Sequence, residues 1–349
     1  MTGLQDDLNE GTIMTDREVS VGGLWGGADR WHRPEKGNSA YRESYYFDFA
    51  DEHSELVGFT SVGWKPERGV LGATTVLFDE QGTWISQAQR STSGDFPLLA
   101  IDGLSYRQAG DDLGAWDVEF AGSMVPTTEL GTQARQHIDR TPAEVHLRAA
   151  FRPRAPEVYS TGTDFENAFS WHLDQSGDTE GYVDLGSTAP RRSFRGRGHR
   201  DRSFGARDWT YFNSWVYLAG HTPDVTINFW ALQSPDDGWA VAGWVQHAGR
   251  PPEVVEHVRL TPGEMLEIGH DRVPAFLAFE LTGPSGAVTG TAESARLLPL
   301  DFTTRRGRAR LDRGVGRYVI NGQPGSGQVE YQQRADRPFT RSRWRLEHT

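Results

Sequence analysis

Alternation constrains this chain more than any other feature. Apolar or aromatic side chains recur at every second position over runs of six to eight residues. A period of two is the signature of a strand with one buried face. In residues 44–49, Tyr45, Phe47 and Phe49 share a face opposite Tyr46 and Asp48. In 145–151, Val145, Leu147, Ala149 and Phe151 face one way, and His146, Arg148 and Ala150 the other. Residues 115–122 alternate Trp116, Val118 and Phe120 with charged partners, and 226–232 set Ile227, Phe229 and Ala231 opposite Asn228 and Trp230.

Turn signals separate these runs. Asp79-Glu80-Gln81-Gly82 splits two strand-like segments, and Asn321-Gly322, after an apolar run, is a strong hairpin signal. With 12 Trp, 10 Tyr, 17 Phe and 40 Gly, the composition supplies both strand formers and turn residues. Strands at short intervals predict an all-β sandwich or barrel. Only residues 127–139 read as a helix. Without βαβ alternation, a parallel nucleotide-binding sheet is not expected. A boundary is expected near 188–190, giving a loose tail at 1–20, one domain at 21–188 and another at 189–349.

Several kinds of chemistry have no residues to carry them. The chain has no cysteine, which removes disulfides, thiolate catalysis and Cys-based zinc sites. No phosphate-binding G-x-x-x-x-G-K-[ST] loop, G-x-S-x-G elbow or H-E-x-x-H pair is present, and Gly196-Arg197-Gly198 lacks the third glycine of a dinucleotide fingerprint because Asp201 stands there. The expectation is no cofactor and no metal. A net charge of −12 argues against a nucleic-acid partner. No apolar window is long enough for a spanning helix. The first 20 residues lack the basic start and apolar core of a secretion signal, so a cytoplasmic location is expected.

The densest cluster of ionisable and aromatic residues is GRGHRDRSFGARDW, residues 196–209. Drawn as a strand, it puts His199, Asp201 and Ser203 on one face and Arg200 and Arg202 on the other. Gly205 then permits a turn, and Arg207, Asp208 and Trp209 open the next strand. This cluster reads either as a site with displaced pKa values or as an ion-pair network closing a barrel end, with Arg207 or Arg200 on Asp201 or Asp208 and Trp209 as a plug. The two readings are compatible.

The segment resembles the signature of the AttH-like family related to carotenoid 1,2-hydratase (hydroxyneurosporene synthase). Residues 42–69, RESYYFDFADEHSELVGFTSVGWKPERG, resemble that family's start, and the spacing to Trp116 and to Trp171-His172-Leu173-Asp174-Gln175 is also similar. Phe204 and Ala206 stand where the family pattern has Trp and Pro. The resemblance implies two lipocalin-like (calycin) antiparallel barrels packed together, with few short helices. It also implies an apolar ligand held in a barrel or between barrels, and a hydratase, cyclase or isomerase acting on a terpenoid, prenylated or polyene substrate.

Alkene hydration needs a carboxylic acid kept neutral, aromatic faces to stabilise a cation, and a base for water. The acid–base candidates are Asp208, Asp201, His199 and Glu43. Glu43 is notable because it shares the apolar face of Tyr45, Phe47 and Phe49, or else sits exposed at the strand end. Tyr45, Trp64, Arg207, Trp209 and Trp230 are the candidates for substrate contact. A cycloaddition asks only for shape and one hydrogen-bond donor, from Tyr45, His199 or Arg207. A barrel that merely carries a hydrophobic molecule is the rival reading, and a carbohydrate binder is a third.

Overall fold

A computed structural model describes residues 12–13, 19–21, 30–32, 40–92, 97–109, 114–135, 141–161, 171–186, 190–236, 238–268, 271–304, 307–337 and 344–347. Among these the elements are strands, apart from one 3-10 turn at Pro66–Arg68. The chain forms two compact units. Unit A comprises Gly22–Thr128 and Arg135–Arg207, and unit B comprises Met1–Val21, Glu129–Ala134 and Asp208–Thr349.

Unit A is a closed antiparallel barrel of eight strands. Hydrogen bonding runs through Tyr41–Asp51, Val57–Lys65, Val70–Asp79, Gly82–Ser91, Trp116–Thr127, Ala143–Pro153, Trp171–Asp184 and Arg192–Ala206, then returns to Tyr41–Asp51. Closure leaves this circuit without a free edge. The predicted faces hold. Tyr45, Phe47, Phe49, Trp116, Val118, Phe120, Val145, Leu147, Ala149 and Phe151 all enter one core. A cavity of about 10 Å³ among Phe47, Phe49, Leu147 and Phe151 has room for about one water, so this part of the lumen is packed core.

Unit B is a second antiparallel sheet. Its path runs from Trp239–His247 through Val225–Gln233, Ser214–His221, Gln323–Arg334, Gly307–Ile320, Gly286–Thr304 and Phe276–Gly283 to His257–Pro262. Residues from both ends of that path, Val241 and Leu260, join one core with Ile227, Phe229 and Ala231. Asn321 and Gly322 form the expected hairpin, with φ of 50° and 80° and Ile320 paired with Gln323. The turn at Asp79 also forms as read, its Oδ1 accepting from the backbone N–H of Gln81 and Gly82.

Four expectations need correction or refinement. Among the described residues of 127–139 there is no helix. Leu130 bridges Leu297 as a strand would, and Glu129 makes a bidentate pair with Arg296, both bonds 2.7 Å. Those partners hold the segment extended, and its helix propensity is too weak to compete. Residues 187–189 at the expected boundary lie outside the described set. The strand after them, Arg192–Ala206, pairs with Trp171–Asp184 and Tyr41–Asp51, so unit A continues to Arg207. Arg207, Asp208 and Trp209 do not open a strand: the chain turns through them, and the next strand begins at Ser214. The tail 1–20 lies mostly outside the described residues, but Thr12–Ile13 pairs in parallel with Ala240 and Val241.

Candidate functional site

The motif strand Arg192–Ala206 is the last strand of the unit A barrel and lies between the Trp171 and Tyr41 strands. Its glycines have a packing reason. A Cβ on Gly196 would lie 1.9 Å from the Ala50 carbonyl oxygen, and one on Gly198 would lie 2.1 Å from that of Asp48. Only glycine lets the first and last strands approach this closely. Beyond them, alternation divides the motif between two faces as expected.

The lumen face carries Glu43 and Arg202. Both are fully buried and in direct ion-pair contact. Glu43 Oε1 also accepts from the backbone N–H of His32 at 2.6 Å and from the Tyr41 hydroxyl at 2.8 Å. Arg202 donates to the carbonyls of Arg30, Ser44 and Ser203 and lies 4.1 Å over the Tyr45 ring. Trp64 is the cross-strand partner of Glu43, and Trp31 packs edge-on against both Tyr45 and Trp64. Burial alone would raise the Glu43 pKa, but the hydrogen bond from His32, the Arg202 charge and the Tyr41 hydroxyl together hold it below the usual carboxylate range. Glu43 is therefore neither exposed nor a neutral acid. It is an ionised strut, and Tyr45 and Trp64 are walls of the same network.

The opposite face of these strands carries a second polar set. Register places His172 opposite Ser203, Asp174 opposite Asp201, and Ser203 opposite Ser44. His172 Nε2 lies 3.0 Å from Asp174 and its Nδ1 lies 3.8 Å from Asp201. Arg207 donates to the Ser203 hydroxyl at 2.6 Å, and that hydroxyl lies 2.9 Å from the Ser44 hydroxyl. Burial on its own would lower the His172 pKa, and Arg207 adds to that effect. The two carboxylates outweigh both, so the imidazolium is favoured. One row further on, His199 Nδ1 lies 3.7 Å from Asp48, whose carboxylate also accepts the His199 backbone N–H.

The sequence candidates thus fall into separate places. Asp201, His199 and Arg207 share the polar face, while Glu43, Tyr45 and Trp64 line the lumen. Arg200, read as a partner for Asp201 or Asp208, instead donates to Gln175 at 2.6 Å and lies 3.4 Å from Glu157. Asp208, Trp209 and Trp230 belong to unit B. There Asp208 caps a turn, accepting from the Thr210 N–H and hydroxyl; Trp209 stacks on Phe302 at 4.8 Å, and Trp230 packs 4.4 Å from Tyr217. His172 and Asp174 were not among the site candidates. Their signal was the alternation in Trp171-His172-Leu173-Asp174-Gln175, which puts both polar groups on one face of a strand.

Among the described residues no helix is long and apolar enough to cross a membrane, and no group of three or more His, Asp or Glu is gathered for a metal. A family model described as a domain of unknown function (DUF7064) matches residues 27–335. No curated protein sequence matches the chain. Among solved structures, an AttH-like protein of Nitrosomonas europaea superposes with a TM-score of 0.55 at 12% identity, over 84% of this chain and 91% of that one. CghA, crystallised with Sch210972, gives 0.55 at 11% identity over 84% and 88%. Kievitone hydratase from Nectria haematococca gives 0.51 at 10% identity over 93% and 95%. These likenesses establish the fold, and they are the fold relatives that the sequence motif pointed to.

Proposed function

From the premise that the chain belongs to the DUF7064 family, we propose that it is a cofactor-independent enzyme of the hydratase, cyclase or isomerase kind. The observation that carries this reading is the His172 imidazole held between Asp174 and Asp201 on a buried face. Burying three ionisable groups together costs free energy that simple packing does not recover. On the lumen side of these strands Glu43 and Arg202 neutralise one another, so the His172 set is not their counter-charge. The names of the fold relatives support the same class: one is a hydratase, and another was crystallised with a small organic molecule.

The geometry suits proton transfer. His172 delivers a proton to carbon, water adds to the resulting cation, and a carboxylate of Asp201 or Asp174 takes the proton that water loses, returning it to the imidazole. No atom is left over: the product is substrate plus water, or an isomer where an internal carbon replaces water as the nucleophile. A raised pKa makes the imidazolium a mild acid, so the matching substrate is a terpenoid, prenylated or polyene molecule whose double bond is conjugated or polarised.

The test is a thermal-shift panel of terpenols, prenylated phenols, polyenes, fatty acids and oligosaccharides, with mass spectrometry of each hit after incubation. A ligand at 100 times its Kd stabilises by about 2.7 kcal/mol. A product heavier by one water is the hydratase outcome, and an isomer is the cyclase or isomerase outcome. Ligands recovered unchanged make the protein a carrier. His172→Gln and Asp201→Asn remove turnover while the fold persists, and turnover that survives both changes overturns the assignment.

A further inference from the structure

Beside the acid–base set, on the same face, lies a group of cations that the chemistry above does not use. The cross-strand pairing of Glu43 with Trp64 brings the next residues outward, Arg42 and Lys65, to the ends of neighbouring strands. By alternation both point to the side of Ser44. The Arg42 guanidinium lies flat over Gly63, where an added Cβ would come within 2.7 Å of its Nη2. Arg207 is fixed by its backbone N–H to the Ala40 carbonyl and by its guanidinium to Ser203. Arg68 follows Lys65 in the 3-10 turn. Arg42, Lys65 and Arg207 are half-buried.

Arg42, Arg68 and Arg207 all act on Lys65, and Glu67 is the acidic residue of the turn that follows it. Burial pushes its ammonium down to about 8, and Arg42, Arg68 and Arg207 push it the same way. Gathering like charges in a partly desolvated rim opposes folding. A bound anion offsets that opposition, and guanidinium groups with serine hydroxyls beside them are the donors that recognise carboxylates. We propose that Arg42, Lys65, Arg68 and Arg207 form a binding site for an anionic oxygen group, a carboxylate or acidic enol, carried by the ligand.

The site's position identifies the ligand class further. His172, Ser203, Ser44 and Gly63 occupy one register row across four strands, and the Arg42 guanidinium rests on the last of them. Three strand spacings of about 4.8 Å separate its ends, roughly 14 Å. A ligand that reaches both ends is an extended amphipathic acid, with its charged head at the cations and its unsaturated part at His172. That assignment to the substrate rests on the proposed acid–base function; the anion site itself does not.

The chain has only two lysines, Lys36 and Lys65, which makes the test direct. Isotope-labelled lysine gives two side-chain signals by NMR, assigned with Lys36→Arg. Inorganic phosphate, sodium geranate and neutral methyl geranate are the probes. The expected result is a saturable shift of the Lys65 signal with geranate and a rise in the Lys65 pKa. Geranate should bind at least about tenfold more tightly than phosphate, and methyl geranate should have no effect. Arg42→Gln abolishes the response. A Lys65 signal that neither anion moves, that moves no more than Lys36, or that still responds in Arg42→Gln overturns the site. A response to phosphate alone makes it a site for free inorganic anions and overturns the substrate assignment. Because the readout is independent of turnover, a responsive Lys65 in a protein that converts nothing removes the acid–base function and leaves the anion site standing. Turnover with a silent Lys65 does the reverse.

Discussion

Two buried ionisable residues on the strands that flank the motif strand, Glu43 and His172, respond to pH in opposite directions. The folded pKa of Glu43 lies below its ordinary 4.5, so the stability it contributes is present above 4.5 and is lost as pH falls through the folded value. The folded pKa of His172 lies above its ordinary 6.5, so its contribution is complete below 6.5 and is lost as pH rises through the folded value. Urea midpoints followed from acid to alkali should therefore fall at both ends, and His172→Gln should flatten the alkaline fall alone. Turnover should decline over the same alkaline range if His172 supplies the proton. Glu43→Gln leaves the Arg202 guanidinium buried without its counter-charge, a loss of about 3–5 kcal/mol by urea denaturation. Part of this was legible in the sequence. A glutamate on the Tyr45–Phe47–Phe49 face is anomalous by alternation alone. Its ion pair was not legible, because Arg202 is far away in sequence and reaches it only through barrel closure. His172 and Asp174 were visible as a strand face and invisible as partners of Asp201, because the register of the Trp171 strand on the motif strand leaves no local pattern.

At the scale of elements, the motif strand shows why alternation predicts faces well and neighbours poorly. The separation of His199, Asp201 and Ser203 from Arg200 and Arg202 needs only a period of two. The reason for Gly196 and Gly198 before them was not legible, because the Tyr41 strand that packs against them is distant in sequence. Gly198→Ala should push the two strands apart at the Asp48 carbonyl and destabilise by about 3 kcal/mol, measured by chemical denaturation. A cost under about 0.5 kcal/mol would mean that the strands do not meet here as described. The expected helix at 127–139 failed for a related reason: weak local propensity gave way to long-range partners, Leu297 and Arg296, that no local pattern announces.

At the scale of the whole molecule, the chain enters unit B, leaves it and enters it again, since Glu129–Ala134 belongs to unit B although both of its flanks belong to unit A. A fragment of residues 208–349 lacks Glu129, and Arg296, 3% exposed in the full chain, is left without its carboxylate. That fragment should not fold cooperatively by circular dichroism and calorimetry. Within the intact chain, Glu129→Ala should lower the stability of unit B by about 3–5 kcal/mol. Strands at short intervals were predictable from turn spacing, but the assignment of six residues, Glu129–Ala134, to the other unit leaves no mark in periodicity or composition.

The acid–base face also has a consequence in time. It is built on the last two barrel strands, and the Ser44–Ser203 contact beside it joins residues 159 positions apart. A chain still emerging from the ribosome can form much of the meander, yet it has no functional face until the final strand, which carries Asp201, is in place. Such distant pairing is intrinsically slow. Activity is therefore a late and all-or-none property, so a truncated or stalled product is silent rather than partly active.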